Sequence, residues 1–290
     1  MNSITRNPYC RLPIIAIVGL LMGGCASLVS SAASGLADNL SAAMLNQDDP
    51  ETVRAGAPSY LLLLDSFLEG SPDDPDLLAA AATLYASYGA VFADEEIRAM
   101  RLTSRARSYA HRAICESYNA SCDWRELNYD DFVATLDGLG PTHVDLVYTY
   151  SFATLAYLRA HGSDWNSLAE LPQMEALLNR YIEIAGDDVD AAAHMYMGVL
   201  LTLRPPALGG KPEEARVHFE RAITMSGGRD LSAKVEFARG YAMLLYDRDL
   251  HDQLLTEVIK ADPYVDRLTL SNVMAKEQAA QMLAEADNYF

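Results

Sequence analysis

Apolar residues recur along this chain with the period of an α-helix. Between residues 76 and 92 an apolar side chain falls at every third or fourth position, and Pro75 stands where proline suits a first helical turn. The same spacing recurs in further stretches, which are 50–69, 95–117, 144–161, 172–185, 190–204, 212–226, 231–246, 249–261 and 270–287. No stretch alternates long enough to predict a sheet. The pattern predicts an all-α fold, in one domain over residues 50–290.

A short internal repeat makes this prediction more specific. Residues 106–114 and 215–223 are identical at five of nine positions, and each follows a helix that mixes small and aromatic residues. Small residues let antiparallel helices approach closely, as in tetratricopeptide (TPR) repeats. Repeat lengths vary, however, and the glycine expected in the first helix of a full unit is poorly kept. We therefore expect degenerate TPR-like helix pairs, packed into one compact helical-repeat domain rather than an open superhelix.

The amino terminus has the pattern of an export signal. Arg6 and Arg11 precede an apolar run over residues 12–22, followed by two glycines. That run is about half the roughly 20 residues that a transmembrane helix needs. A basic segment, a short apolar segment and small residues before a cleavage point predict a secretory signal over residues 1–24.

Residues 20–25 (Leu-Leu-Met-Gly-Gly-Cys) resemble the lipobox of bacterial lipoproteins, although methionine stands where leucine is commoner. The resemblance implies that the Cys25 thiol is lipidated and that the mature chain begins there; the alternative is an ordinary signal with an incidental cysteine. Two or more acyl chains hold a protein stably on a bilayer. Residues 25–49 then form a tether or a first helix. Ala26 and Ser27 are not the aspartate that retains many lipoproteins at the inner membrane, which favours the inner leaflet of the outer membrane.

Two cysteines remain in the folded part. Cys115 and Cys122 have six residues between them, and in an oxidising compartment they can close a small loop. We expect a disulfide here, with two buried thiols as the alternative. The spacing matches neither a zinc knuckle nor a CxxC redox pair.

The charge balance limits the classes of partner. The chain has 22 basic and 40 acidic residues, and loss of Arg6 and Arg11 with the signal takes the net charge from −18 to −20. Such a surface repels phosphate backbones and anionic headgroups, so we expect no nucleic acid, and membrane contact through the lipid anchor only. We attribute the excess of acid to solubility; a cation-binding role is the alternative.

One helical stretch differs from the others. Residues 146–158 contain no charged side chain and are apolar or aromatic around most of the circumference. Thirteen residues are too few to cross a bilayer, so this helix is either a central core helix or the wall of an internal pocket. Tyrosine favours the pocket, because each buried hydroxyl needs a partner. The candidate ligand-binding residues are Tyr148, Tyr150, Phe152 and Tyr157.

Catalytic motifs do not occur. The six histidines include no HExxH and no close pair on one helix face, and the chain has no serine elbow or phosphate-binding glycine loop. Adjacent acids such as Asp130–Asp131 stand at predicted helix starts, where they act as caps. We expect no enzyme, no catalytic residue, no metal and no cofactor. A hydrolase site scattered over many helices is the remaining enzymatic alternative.

Several segments together resemble one known family, the T components of tripartite ATP-independent periplasmic (TRAP) transporters. The segments that carry the resemblance are Pro58–Asp65, Pro72–Leu78, Ala80–Phe92, Pro205–Ala215, His218–Ala222, Asp247–Arg248, Asn272–Ala275 and Asp287–Phe290. They span roughly residues 50–290. The most specific is the signature loop, which holds Pro205, Pro206, Leu208, Gly209 and Gly210.

The resemblance implies a periplasmic lipoprotein that assembles as a homotrimer. Each subunit would carry a pore or cleft with apolar walls, bind a TRAP-type periplasmic substrate-binding protein and present or relay a small ligand of hydrophobic character. The alternative is a generic TPR-like lipoprotein scaffold for envelope protein assembly. The signature loop itself is either a shaped connection between two helices or a surface at a pore mouth or subunit contact.

Overall fold

The computed structural model describes residues 41–290, so the predicted signal over 1–24 and the lipidated Cys25 lie outside the described residues. After a helical stretch at 41–45, the chain forms a succession of helices and no strand within the described range. Their bounds are α1 (Pro50–Gly70), α2 (Pro75–Val91), α3 (Glu96–Ser117), α4 (Tyr129–Leu136), α5 (Val144–Ala160), α6 (Trp165–Ala169), α7 (Leu171–Ala185), α8 (Ala191–Thr202), α9 (Pro212–Met225), α10 (Leu231–Phe237), α11 (Arg248–Lys260) and α12 (Thr269–Tyr289). The all-α prediction is confirmed.

Local chemistry explains most helix boundaries. Asp49, Asp74, Asp190 and Asp230 each precede a helix and accept a hydrogen bond from a backbone N–H of its first turn. Two short helices, α4 and α6, were not predicted, because one or two turns are too short to show a period. A π-helical turn, Ala238–Ala242, follows α10 directly.

Consecutive helices pack against one another in sequence order. The pair α2 and α3 and the pair α8 and α9 make the most extensive contacts, and α5 lies against α2, α3, α7 and α8. One continuous apolar core runs through nearly all of these helices. The predicted compact body is confirmed.

The two principal pairs are equivalent units. Gly89 on α2 lies as far ahead of Ala106 on α3 as Gly198 on α8 lies ahead of Ala215 on α9. A Cβ atom at Gly89 would lie 3.0 Å from the Cβ of Leu102, and one at Gly198 would lie 2.8 Å from ring atoms of Phe219. The expectation that the repeat glycine is poorly kept is wrong for these two units, because in both it permits the close helix crossing.

The carboxyl-terminal part returns to the amino-terminal part. Asn46 donates through its side chain to Asp266 at 2.9 Å and accepts from the backbone N–H of Arg267 at 2.5 Å, and α12 touches α1. These contacts close the succession of helices on itself, which explains why the body is compact. Within residues 41–290, no helix combines the length and the apolar character needed to span a bilayer.

Candidate functional site

A cleft of about 530 Å³ opens at the amino-terminal ends of α5 and α8. Its walls combine aromatic rings with carboxylates: Tyr148 and Tyr181 line it together with Asp145, Asp188 and Asp190. We call it the acidic cleft. Asp145 lies in the first turn of α5, and Asp188 and Asp190 directly precede α8, so all three complement the positive ends of these helices.

A second cleft, of about 240 Å³, lies at the opposite ends of the same two helices. Arg159 on α5 and Arg239 of the π-helical turn both donate to one oxygen of Glu236, at 3.1 and 2.8 Å. We call this second cleft the arginine cleft. Apolar side chains complete its wall, namely Val199, Leu203 and Leu244, with Tyr289 at the rim.

Aromatic rings occupy the space between the two clefts. Tyr148 packs against Tyr181 and Tyr196, with ring centres 5.4 and 5.9 Å away, and Phe152 stacks on Tyr196 at 5.4 Å. Phe152 lies one turn after Tyr148 on the α5 face that leads towards Arg159. Tyr148, Phe152 and Tyr196 each remain partly accessible although they pack on the central core. Through Tyr148, this aromatic layer forms part of the wall of the acidic cleft.

The tyrosines of the layer are uncharged, which favours a neutral, apolar ligand beside them. Burial raises the pKa of Tyr148 far above its usual range, and the neighbouring Tyr196 and Asp190 add to the effect. Burial also raises the pKa of Tyr196, which lies in the field of Asp190, Asp230 and Glu236. Both phenols therefore stay protonated at any physiological pH and offer hydroxyls within a mostly apolar wall.

The structure separates the four candidate ligand-binding residues into two groups. Tyr148 and Phe152 belong to the aromatic layer. Tyr150 is only 2% exposed and packs on Trp124, on the other side of α5. Tyr157 stacks on His161 and carries the guanidinium of Arg107 over its ring. Of the four, only Tyr148 and Phe152 thus pack against Tyr196 in the aromatic layer. Tyr196 itself gave no sequence signal, because α8 has the pattern of an ordinary apolar helix.

The predicted disulfide lies away from both clefts. Cys115, in the last turn of α3, is joined to Cys122, and their Cα atoms lie 4.7 Å apart. Within the loop, Tyr118 packs edge-on against Trp124, whose Nε1 donates to Thr135 at 2.7 Å. The disulfide therefore lies beside an aromatic cluster, which is a position that suits a structural role.

The signature loop joins α8 to α9 by a conformation that requires both glycines. Gly209 has φ +90°, and a Cβ at Gly210 would lie 1.8 Å from the carbonyl oxygen of Arg204. Lys211 then ties the loop to α7 through Glu175, at 2.6 Å. Leu208 is half exposed at the tip. A role as a shaped connection between two helices explains the prolines and glycines of the loop. It does not explain why an apolar side chain, Leu208, is exposed at the tip.

Two histidines that are distant in the sequence meet in the fold. His194 on α8 and His218 on α9 place their Nδ1 atoms 2.9 Å apart. Burial, followed by the proximity of His218 and Arg221, lowers the pKa of His194 to about 4. No sequence signal indicated this pair, because the two histidines lie on different helices and only the packing of α8 on α9 brings them together. In the described part of the chain, no group of three or more histidine, cysteine, aspartate or glutamate side chains is placed to hold a metal ion.

Comparison with known proteins agrees with this architecture. The family model described as "TRAP transporter T-component" matches residues 46–290, which is most of the chain and nearly all of its described part. No curated protein matches the sequence. The family is one of transporter accessory components rather than of enzymes. The chain therefore belongs to the TRAP transporter T-component family, and its role is that of an accessory component in TRAP transport.

Proposed function

We propose that this protein is anchored through Cys25 to the inner leaflet of the outer membrane. From there it binds a TRAP-type periplasmic substrate-binding protein, as a homotrimer, and holds a hydrophobic small ligand in an internal pore or cleft walled by the aromatic layer. Family membership supports the transport role. The aromatic layer formed by Tyr148, Phe152 and Tyr196 is the observation that carries the ligand-binding part.

Three properties of the layer support an apolar ligand. Its rings belong to helices packed on the core, so binding would not require them to become ordered first. Its hydroxyls are neutral, because burial raises the pKa values of Tyr148 and Tyr196. Finally, Tyr148 lines the acidic cleft, so the layer can be reached from solvent there.

The signature loop is the proposed contact for the substrate-binding protein. Leu208 is 51% exposed at its tip, and the backbone around it is held by hydrogen bonds from the N–H groups of Leu208 and Gly210 to the carbonyl oxygen of Pro205. An apolar side chain on a rigid exposed loop is suited to docking, because little conformational freedom is lost on binding.

The test is a pull-down from cross-linked native envelopes with the tagged full-length chain, read by mass spectrometry. We expect near-stoichiometric recovery of a TRAP-type solute-binding protein with the native chain, and loss of that protein with Leu208→Ser. Val217→Ser, at a 64% exposed position on α9, is the matched control and should retain it. Recovery of envelope-assembly enzymes without a solute-binding protein would overturn the proposed partner and favour the scaffold alternative.

The same preparation tests the anchor and the assembly. The native chain should sediment with outer-membrane vesicles, and Cys25→Ser should remain in the soluble fraction. Cross-linked species should correspond to three chains. Recovery of the native chain in the soluble fraction would overturn the proposed anchor. A monomer at all protein concentrations would overturn the proposed trimer.

A further inference from the structure

Two imidazole rings meet where α8 and α9 cross. The Nδ1 atoms of His194 and His218 lie 2.9 Å apart, and the ring centres are 5.2 Å apart. His194 lies one turn before Gly198, and His218 directly precedes Phe219, whose ring packs on Gly198 at the crossing. Because both histidines belong to closely packed helices, the fold itself holds the two rings next to each other.

Both rings are uncharged at physiological pH. Burial lowers the pKa of His194 to about 4, and the proximity of His218 and Arg221 adds to this effect. Burial also lowers the pKa of His218. Neutral imidazole is the form that coordinates metal ions. One facing Nδ1 carries a proton in the present contact, and a shift of that proton to Nε2 leaves both Nδ1 atoms as ligands.

The separation of the two Nδ1 atoms matches that of two adjacent ligands on one metal ion. Bonds from a metal ion to histidine nitrogen are about 2.0–2.1 Å long, so two such bonds at a right angle place their nitrogen atoms about 2.9 Å apart. A tetrahedral ion would separate them by about 3.4 Å. The observed 2.9 Å therefore fits tetragonal coordination, which Cu²⁺ and Ni²⁺ favour with nitrogen and oxygen ligands.

Carboxylates near the pair favour a cation. Glu214 lies one turn before His218 on α9, and Lys211 pairs with Glu214 at 3.8 Å and with Glu175 at 2.6 Å. The charges of both glutamates act on His218 and oppose the lowering of its pKa. His194 and His218 are each partly accessible, so water molecules can complete the coordination of an ion bound between them.

We propose that His194 and His218 bind one divalent transition-metal ion through their Nδ1 atoms, in tetragonal coordination completed by water. Among these ions Cu²⁺ is the expected one, because sites with nitrogen and oxygen ligands generally bind it most tightly. Two residues along a helix point to opposite sides, so the pair and Tyr196 of the aromatic layer lie on different faces of α8. The metal site is therefore independent of the proposed ligand site.

The test measures Cu²⁺ binding to the untagged full-length chain in detergent by titration calorimetry. Excess Mg²⁺ is present to occupy carboxylates of the acidic surface, and we expect one Cu²⁺ per chain. His194→Asn and, separately, His218→Asn should each weaken binding by at least about tenfold, because each removes one of the two protein ligands. His143→Asn is the matched control and should leave the affinity unchanged, since His143 already accepts from the backbone N–H of Gly140 at 3.1 Å.

Electron paramagnetic resonance of the Cu²⁺ complex provides a readout that a purely structural role of the pair would not change. We expect hyperfine coupling to two imidazole nitrogens in the native chain and to one in each variant, after a thermal melt has established that the variant is folded. Failure of the native chain to bind one Cu²⁺, or equal affinity in both variants, would overturn the proposal. A native spectrum with oxygen ligands alone would also overturn it, and this measurement needs no variant to fold.

Discussion

The helix pairs α2/α3 and α8/α9 have the same backbone plan and different polar chemistry. In both, a glycine marks the close crossing, and an Ala-Arg segment begins the matching part of the second helix. In α2/α3 the arginine, Arg107, is 3% exposed and pairs with Glu170, whereas its counterpart Arg216 is half exposed and pairs with Glu220 one turn along α9. The reason is position in the fold: α5 packs on α3 and Glu170 stands directly before α7, whereas the side chain of Arg216 remains half exposed on α9.

A second pair of equivalent positions makes the same point. Tyr85 and Tyr109 meet edge-on between α2 and α3, and both donate to the carboxylate of Asp65 on α1. At the matching positions of α8 and α9, His194 and His218 meet and bond to each other. Burial and the bond to Asp65 raise the pKa of Tyr109 to about 12, while burial lowers that of His194 to about 4. One backbone arrangement thus supports two different polar contacts, according to whether a carboxylate lies beside it.

The largest expected difference between the two units is at the equivalent arginines. Arg107→Ala should lower the free energy of unfolding by about 3 kcal/mol, because it removes a buried ion pair and a cation–π contact and leaves Glu170 without its partner. Arg216→Ala should change it by less than about 0.5 kcal/mol, as expected of an exposed pair. Urea unfolding of the two variants measures both values. Equal losses would show that the burial of Arg107 contributes nothing to stability.

The next effect concerns the end of the second helix in each unit. Cys115 closes the loop after α3, while its counterpart on α9 is Thr224. Cys115→Ser should lower stability by about 2 kcal/mol through loss of a short loop closure, and Thr224→Ser should leave it nearly unchanged. Thermal unfolding with and without reductant gives the measurement. Reductant should destabilise the native protein and not the Cys115→Ser variant; insensitivity of the native protein would contradict the disulfide.

Substitution of the two repeat glycines should lower the free energy of unfolding by amounts that differ less. Gly198→Ala places a methyl group 2.8 Å from the fully buried ring of Phe219 and should cost about 2 kcal/mol. Gly89→Ala should cost about 1 kcal/mol, because its closest neighbours are 3.0 Å or more away and the better helix propensity of alanine offsets part of the strain. Chemical denaturation of both variants tests this order. Adding Phe219→Leu to Gly198→Ala should recover part of the loss, and no recovery would locate the strain elsewhere.

The smallest expected effect is the pH dependence that the histidine pair gives to the free energy of unfolding. The pKa of His194 is lowered from 6.5 to about 4 in the fold, so the unfolded chain binds more protons between these values. Stability is therefore complete above pH 6.5 and falls as the pH drops towards about 4. We expect a loss of roughly 1 kcal/mol, reduced from the full shift because the ring is partly solvated. His194→Asn should flatten this part of the pH–stability curve; an unchanged curve would exclude the pair as its source.

Sequence reasoning predicted the longer helices well and the site only in part. Apolar periodicity over three or more turns identifies a helix such as α5, whereas the few residues of α6 show no period. Tyr148 and Phe152 were identified because they belong to an unusual uncharged helix. Tyr196, Arg159 and Arg239 were missed, since nothing local distinguishes them and their proximity depends on how three elements pack. The repeat glycines were underestimated because only the packed pairs show which glycines meet a neighbour.

The sequence by itself determined the helical class, the boundaries that aspartate, proline and glycine impose, the strongly acidic balance and the membership of the T-component family. These properties depend on local backbone chemistry, on composition and on residues compared in order along the chain. The tertiary structure alone decided which arginine is buried, which tyrosines face an accessible space, and that one cleft is acidic while the other holds two arginines. Those properties arise from residues far apart in the sequence, and packing places each of them against particular neighbours.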